Sequence, residues 1–145
     1  MKVIQVLILF ILLACGTDQG DPDTYIHTLR NESGKNIQIK AYLSSYPDVA
    51  PIITSLPIGK EIIKIHKDYP PYFGYSFQNY FGTRKSSRDS LVVIFDMAKI
   101  VSFNAENCDD NRNPLNFCEY RNLEETFIFT EQDYESAEDC NGNCD

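Results

Sequence analysis

Basic side chains are scarce in this 145-residue chain: 13 Lys plus Arg stand against 21 Asp plus Glu, for a net charge of -8 at pH 7. A phosphate backbone is bound mainly through clustered Lys and Arg, so the balance argues against nucleic acid as a partner. Long apolar runs are missing as well. A helix needs roughly 20 apolar residues to cross a bilayer, and the longest stretch here is the eleven residues from Val3 to Leu13, interrupted by Gln5. Histidine is limited to His27 and His66. They are isolated in sequence, and His66 shares an outward face with Lys64, so both read as strand residues and not as general bases or ligands. A serine nucleophile has little support: Gly74-Tyr75-Ser76-Phe77-Gln78 half matches G-x-S-x-G, with Gln78 where the second Gly belongs. What is present is ordinary globular material, 43% hydrophobic and 23% charged, enough for one compact domain.

The amino-terminal segment carries the clearest signal. Lys2 supplies a positive start, Val3 to Leu13 an apolar core, and the polar GTDQGDPD after Cys15 ends it. This is the layout of a secretory signal peptide, expected over residues 1–14. Leu12-Leu13-Ala14-Cys15 resembles the lipobox of bacterial lipoproteins: an aliphatic residue, a tolerant position, a small residue and the lipidated Cys. The resemblance implies cleavage before Cys15 and acyl chains on its sulfur and new amino group. One acyl chain holds a protein only marginally, and two or three anchor it stably. The membrane partner is then lipid, reached through Cys15, with residues 15–23 as a flexible tether. Gly16 follows the Cys where, in enteric lipoproteins, Asp favours inner-membrane retention, so the resemblance points to the outer membrane, on its periplasmic or its surface face. Ordinary secretion is the alternative.

Removing Lys2 with the signal leaves 12 bases against 21 acids, a net charge of -9. Residues 16–105 hold nine acids and ten bases, whereas residues 106–145 hold twelve acids against Arg112 and Arg121. All of the excess negative charge sits in the last forty residues. With Cys15 acylated, Cys108, Cys118, Cys140 and Cys144 remain, an even number in an oxidising compartment. Three connectivities are open, and the local ones, Cys108 with Cys118 and Cys140 with Cys144, are favoured because each closes a short polar loop. A Cys₄ zinc site is the rival, weakened by the nine residues between Cys108 and Cys118.

The rest of the chain alternates short apolar runs with turn residues. Tyr25–Arg30 and Ile37–Leu43 flank Asn31-Glu32-Ser33-Gly34-Lys35 and read as a β-hairpin. Pro47, Pro51 and Pro57 break the next stretch, and Glu61–His66 follows as a strand. Leu91–Asp96 is apolar on both faces, as a central strand is, and turns through Met97-Ala98-Lys99 into Ile100–Ala105. Thr126–Thr130 places Phe127 and Phe129 on one side, and Thr130 with Asp133 marks a helix cap. Short strands without a long 3.6-residue pattern predict a mainly β domain over residues 24–145. Its expected form is a single antiparallel β-sandwich, or a small barrel, with one short carboxy-terminal helical turn.

Two segments offer ligand chemistry. Asp109-x-Asn111-x-Asn113 has the oxygen-rich alternation of a calcium loop, although Pro114 and Tyr120 stand where an EF-hand requires Gly and Glu. Residues 69–82 hold seven of the eighteen aromatic residues. Tyr72, Tyr75 and Tyr80 there would suit a sugar ring, since Tyr offers a flat face with a polar tip. The competing reading is that Phe73, Phe77 and Phe81 plug one end of the sandwich.

The lipobox, Arg112-Asn113-Pro114-Leu115-Asn116 and the ending FTEQDYESAEDCNGNCD together resemble small lipoproteins of Bacteroidota type, β-rich domains behind a lipidated Cys. The resemblance implies location and architecture and brings no catalytic residue. The expected function is a non-enzymatic, lipid-anchored envelope protein that binds or supports another envelope component. The alternative is a lipoprotein that captures calcium or glycan.

Overall fold

The computed structural model describes residues 20–82, 86–105, 109–116, 118–119 and 122–144. Eight strands form two facing sheets. The first joins β1 (Asp23–Glu32), β4 (Glu61–Asp68) and β7 (Glu124–Thr130) in the order β4-β1-β7. The second joins β2 (Ile37–Tyr42), β3 (Ile52–Leu56), β5 (Ser90–Phe95), β6 (Lys99–Asn104) and β8 (Glu138–Asp139) in the order β3-β2-β5-β6-β8. The molecule is a small β-sandwich, and the sheets do not close into a barrel. Its pairings are antiparallel except that of β1 with β7, which is parallel. Among the described residues, two helices complete it, the single turn α1 (Phe77–Tyr80) and α2 (Glu131–Ser136).

Side-chain alternation explains the packing. Leu29 of β1, Ile37, Ile39 and Ala41 of β2, Leu91, Val93 and Phe95 of β5, and Phe127 and Phe129 of β7 form one buried cluster between the sheets. Strand β5, apolar on both faces, is the middle strand of five. Its outward Ile94 is covered by Cys140 and Cys144, with Val92 and Ile100 beside them. The expected hairpin of β5 and β6 is formed, and Asp96 and Met97 turn it with positive φ angles of 47° and 57°. The expected carboxy-terminal helical turn is α2, where the Thr130 backbone N–H and hydroxyl both donate to Asp133.

The segment from Tyr25 to Leu43 departs from expectation: both strands exist, but β1 and β2 do not pair with each other and belong to opposite sheets. Both edges of β1 are taken, by β4 and β7. The turn residues make a corner between the sheets, built on buried Asn31. Its Nδ2 donates to the carbonyls of Lys35 at 2.7 Å and Leu56 at 2.8 Å, while its Oδ1 accepts from the Ser33 backbone N–H and hydroxyl. A polar turn is needed to reverse within one sheet and also to cross to another, so composition alone does not distinguish the two. The prolines from Pro47 to Pro57 do not prevent a regular strand either, since β3 fits between Pro51 and Pro57 on the sheet edge, where a missing N–H is tolerated.

Candidate functional site

Register brings six ionisable side chains together where β1 begins and β4 ends. Tyr25 pairs with His66, His27 with Lys64 and Asp23 with Asp68 across the β1–β4 ladder, so Tyr25, His27, Lys64 and His66 lie on one face. That face turns toward the segment between β4 and β5. Tyr75 stacks on His66 with ring centres 4.6 Å apart and meets His27 edge-on at 5.1 Å. Phe77 closes over the other side of His27 at 4.8 Å. Tyr25 lies 6.3 Å from His27 and 6.1 Å from Tyr75. The shared face of Lys64 and His66 is therefore the inward one. The outward face of β4 belongs to Ile63 and Ile65.

Burial sets the electrostatics of this cluster. His27 is wholly buried, and neither ring nitrogen has a hydrogen-bond partner. Burial holds its imidazole below the ordinary histidine range, with Glu125, its register partner on β7, pulling weakly the other way. The Tyr25 hydroxyl is pushed up by burial and by Asp23 and Asp68, and the Tyr75 hydroxyl by burial. Lys64 is held below its usual range by burial. Its ammonium donates to the Tyr80 carbonyl at 2.6 Å and sits over the Tyr80 ring. A neutral imidazole enclosed by aromatic rings is packing material here, without the reach to substrate that a general base needs.

Asp68 organises the neighbouring loop. It is fully buried, and Oδ2 accepts the backbone N–H groups of Phe73 and Gly74, each at 2.7 Å. Gly74 takes a positive φ of 76°, a conformation that suits glycine. The following turn is closed by Ser76, whose backbone N–H and hydroxyl both donate to Asn79. The Ser76 hydroxyl is thus engaged in the capping box of α1.

The three predicted sugar-binding tyrosines have different surroundings. Tyr72 is 49% exposed, Tyr75 is half-buried between the histidines, and Tyr80 is in the core, its hydroxyl donating to the Ile62 carbonyl at 3.0 Å. The burial of Tyr80 separates it from the exposed Tyr72. The expected aromatic plug is formed by Phe77 and Phe81, whereas Phe73 is 71% exposed.

The predicted calcium residues separate in the same way. Asp109 and Asn111 are exposed, but Asn113 is buried. Its Nδ2 donates to the Asn104 carbonyl at 2.7 Å and its Oδ1 accepts from the Leu115 N–H at 2.9 Å, so it anchors the loop to β6. Arg112 fastens the same loop to α2 through Asp133 and to the Ile128 carbonyl. Among the described residues, no group of three or more His, Cys, Asp or Glu side chains gathers as a metal cage would.

Of the cysteines, Cys140 and Cys144 form the expected disulfide. Cys118 is also disulfide-bonded. Its expected partner Cys108 lies outside the described residues, as do Cys15 and the whole predicted signal segment. A surface depression of about 450 Å³ lies elsewhere, between Asn36, Gln38, Ser55, Pro57, Asp96 and Met97.

The cluster around His27 was missed from sequence because it depends on the pairing of β1 with β4. The available signal was alternation: Tyr25, His27, Leu29 and Asn31 share one parity, and Ile62, Lys64, His66 and Asp68 another. No family model matches this chain, and neither the curated proteins nor the solved structures gave a match.

Proposed function

We propose that this chain is a non-enzymatic, lipid-anchored envelope protein whose β-sandwich binds or supports another envelope component. The observation that carries the reading is the apolar stretch Val3–Leu13 running directly into Leu12-Leu13-Ala14-Cys15. Two or three acyl chains on Cys15 give stable attachment to a membrane, and Gly16 favours the outer membrane. The first strand opens at Asp23, eight residues after Cys15, so the folded domain stands close to its anchor. Among the described residues, no helix is long and apolar enough to cross a membrane. Expressing the precursor in a bacterial host and weighing the membrane-extracted protein tests the anchor. The expected mass is that of residues 15–145 plus acyl chains, lost in Cys15→Ser. An unacylated product cleaved elsewhere sinks the reading. The alternative, capture of calcium or glycan, requires a dose-dependent rise in melting temperature with either ligand, because a ligand bound only by the native state stabilises it.

A further inference from the structure

The lipid anchor proposed above leaves open how the domain is turned relative to the bilayer, and the loop after β4 bears on that. Three aromatic residues within five positions are exposed: Tyr69 at 54%, Tyr72 at 49% and Phe73 at 71%. Burying large aromatic side chains is among the strongest drives of a folded chain, so three exposed together need a reason. The loop is fixed in this form. Buried Asp68 accepts the N–H groups of Phe73 and Gly74, and the positive φ of Gly74 sets the turn beyond them.

The loop also lies against the point where the tether joins the domain. The Tyr72 hydroxyl donates to the Asp21 carbonyl at 2.8 Å. Only five residue steps separate Cys15 from Gly20, and a fully extended chain covers about 3.6 Å per residue. An acylated Cys15 therefore lies within about 18 Å of Gly20. Resting on the reading that Cys15 is acylated, we propose that Tyr69, Tyr72 and Phe73 form a second membrane contact, inserting into the headgroup boundary of the bilayer that holds the anchor.

Tyr suits that boundary because its ring is apolar and its hydroxyl polar, and Phe73 supplies the deeper apolar group. The surrounding charge selects the lipid. Asp21 and Asp23 flank the loop, with Lys67 the nearest base in sequence, so the local charge is acidic and the surface it suits is zwitterionic, not anionic. The sandwich then stands end-on, with the β3–β4 turn farthest from the membrane.

The absence of tryptophan from the chain allows a direct test. The full precursor carrying Phe73→Trp is expressed, its acylation checked by intact mass, and the protein reconstituted into phosphatidylcholine vesicles with or without brominated acyl chains. Phe73 is mostly exposed, so the change leaves the core untouched. A second variant, Ile58→Trp, places the sole indole in the β3–β4 turn, where Ile58 is 51% exposed and roughly 23 Å away along β4. The expected result is a blue-shifted emission strongly quenched by brominated lipid for Phe73→Trp, and water-like, unquenched emission for Ile58→Trp. An acylated Phe73→Trp protein with water-like emission overturns the insertion and leaves the anchor standing. Quenching of both variants alike overturns the end-on contact. A blue shift without quenching, in a protein that migrates as a dimer, assigns the loop to a second copy and overturns the lipid assignment. An unacylated mass overturns the anchor and this inference with it.

Discussion

A histidine with no hydrogen-bond partner for either nitrogen is a pH-sensitive element of the core. Tyr25, Tyr75 and Phe77 surround His27, Lys64 and Glu125 flank it in register, and His66 lies across Tyr75. None of these offers its nitrogens an acceptor, so the neutral ring is favoured and the folded pKa falls below the ordinary 6.5. Above pH 6.5 the ring is neutral in folded and unfolded chains alike, and its packing contributes fully. As the pH falls below that value the unfolded chain takes up the proton first, so stability declines toward the lower folded pKa. The slope from this one group is at most about 1.4 kcal/mol per pH unit. His27→Phe keeps a ring in the cage and removes the titration, so its melting temperature should fall less than that of the wild type between pH 6.5 and about pH 5. Equal slopes would show that the folded protein accommodates the charged ring. Asn31 is the opposite case, a buried polar side chain with every hydrogen-bonding atom in use, as burial of an amide requires.

At the scale of elements, the carboxy-terminal segment shows how little chain is needed to cover a sheet face. Strand β8 has two residues and pairs only at the edge of β6. The Cys140–Cys144 disulfide sets the turn beyond it against Ile94. Its loop is short, so the chain-entropy estimate for the bond is about 2 kcal/mol. Cys140→Ser should lower unfolding free energy by about that amount in a denaturant titration, and a loss near zero would mean that β8 docks without it. The elements best read from sequence are those whose pairing is local. Leu91–Asp96 is apolar on both faces and meets its partner through a short turn of three residues, Asp96 to Ala98, so strand, turn and central position all follow from neighbouring residues. Alternation in Thr126–Thr130 gave the inward Phe127 and Phe129 as well, although the partner of β7, β1, lies far away in sequence. The corner at Asn31 did not follow, because its residue types suit a hairpin equally well. The candidate calcium and sugar residues are separated for a related reason: Asn113 and Tyr80 have the right chemistry in sequence, but loop closure and helix α1 turn them inward.

Over the whole molecule, charge and topology are both lopsided. The last forty residues hold twelve acids and only two bases, Arg112 and Arg121, and the Arg112–Asp133 pair neutralises one of those acids. Like charges confined to one region repel, and salt screens that repulsion, with a Debye length of about 30 Å at 0.01 M and about 8 Å at 0.15 M. The melting temperature at neutral pH should therefore rise between these ionic strengths, and a fall would show that exposed ion pairs outweigh the crowding of acids. The parallel pairing of β1 with β7 sets the timetable on which the fold is completed. A nascent chain leaves the ribosome amino terminus first, so β1 emerges about a hundred residues before its parallel partner. The hairpin of β5 and β6 can form as it appears, but the smaller sheet lacks its third strand until residue 130 is out. Contacts between the ends of a chain are slow to form, so one edge of β1 stays open, and the smaller sheet incomplete, until β7 arrives.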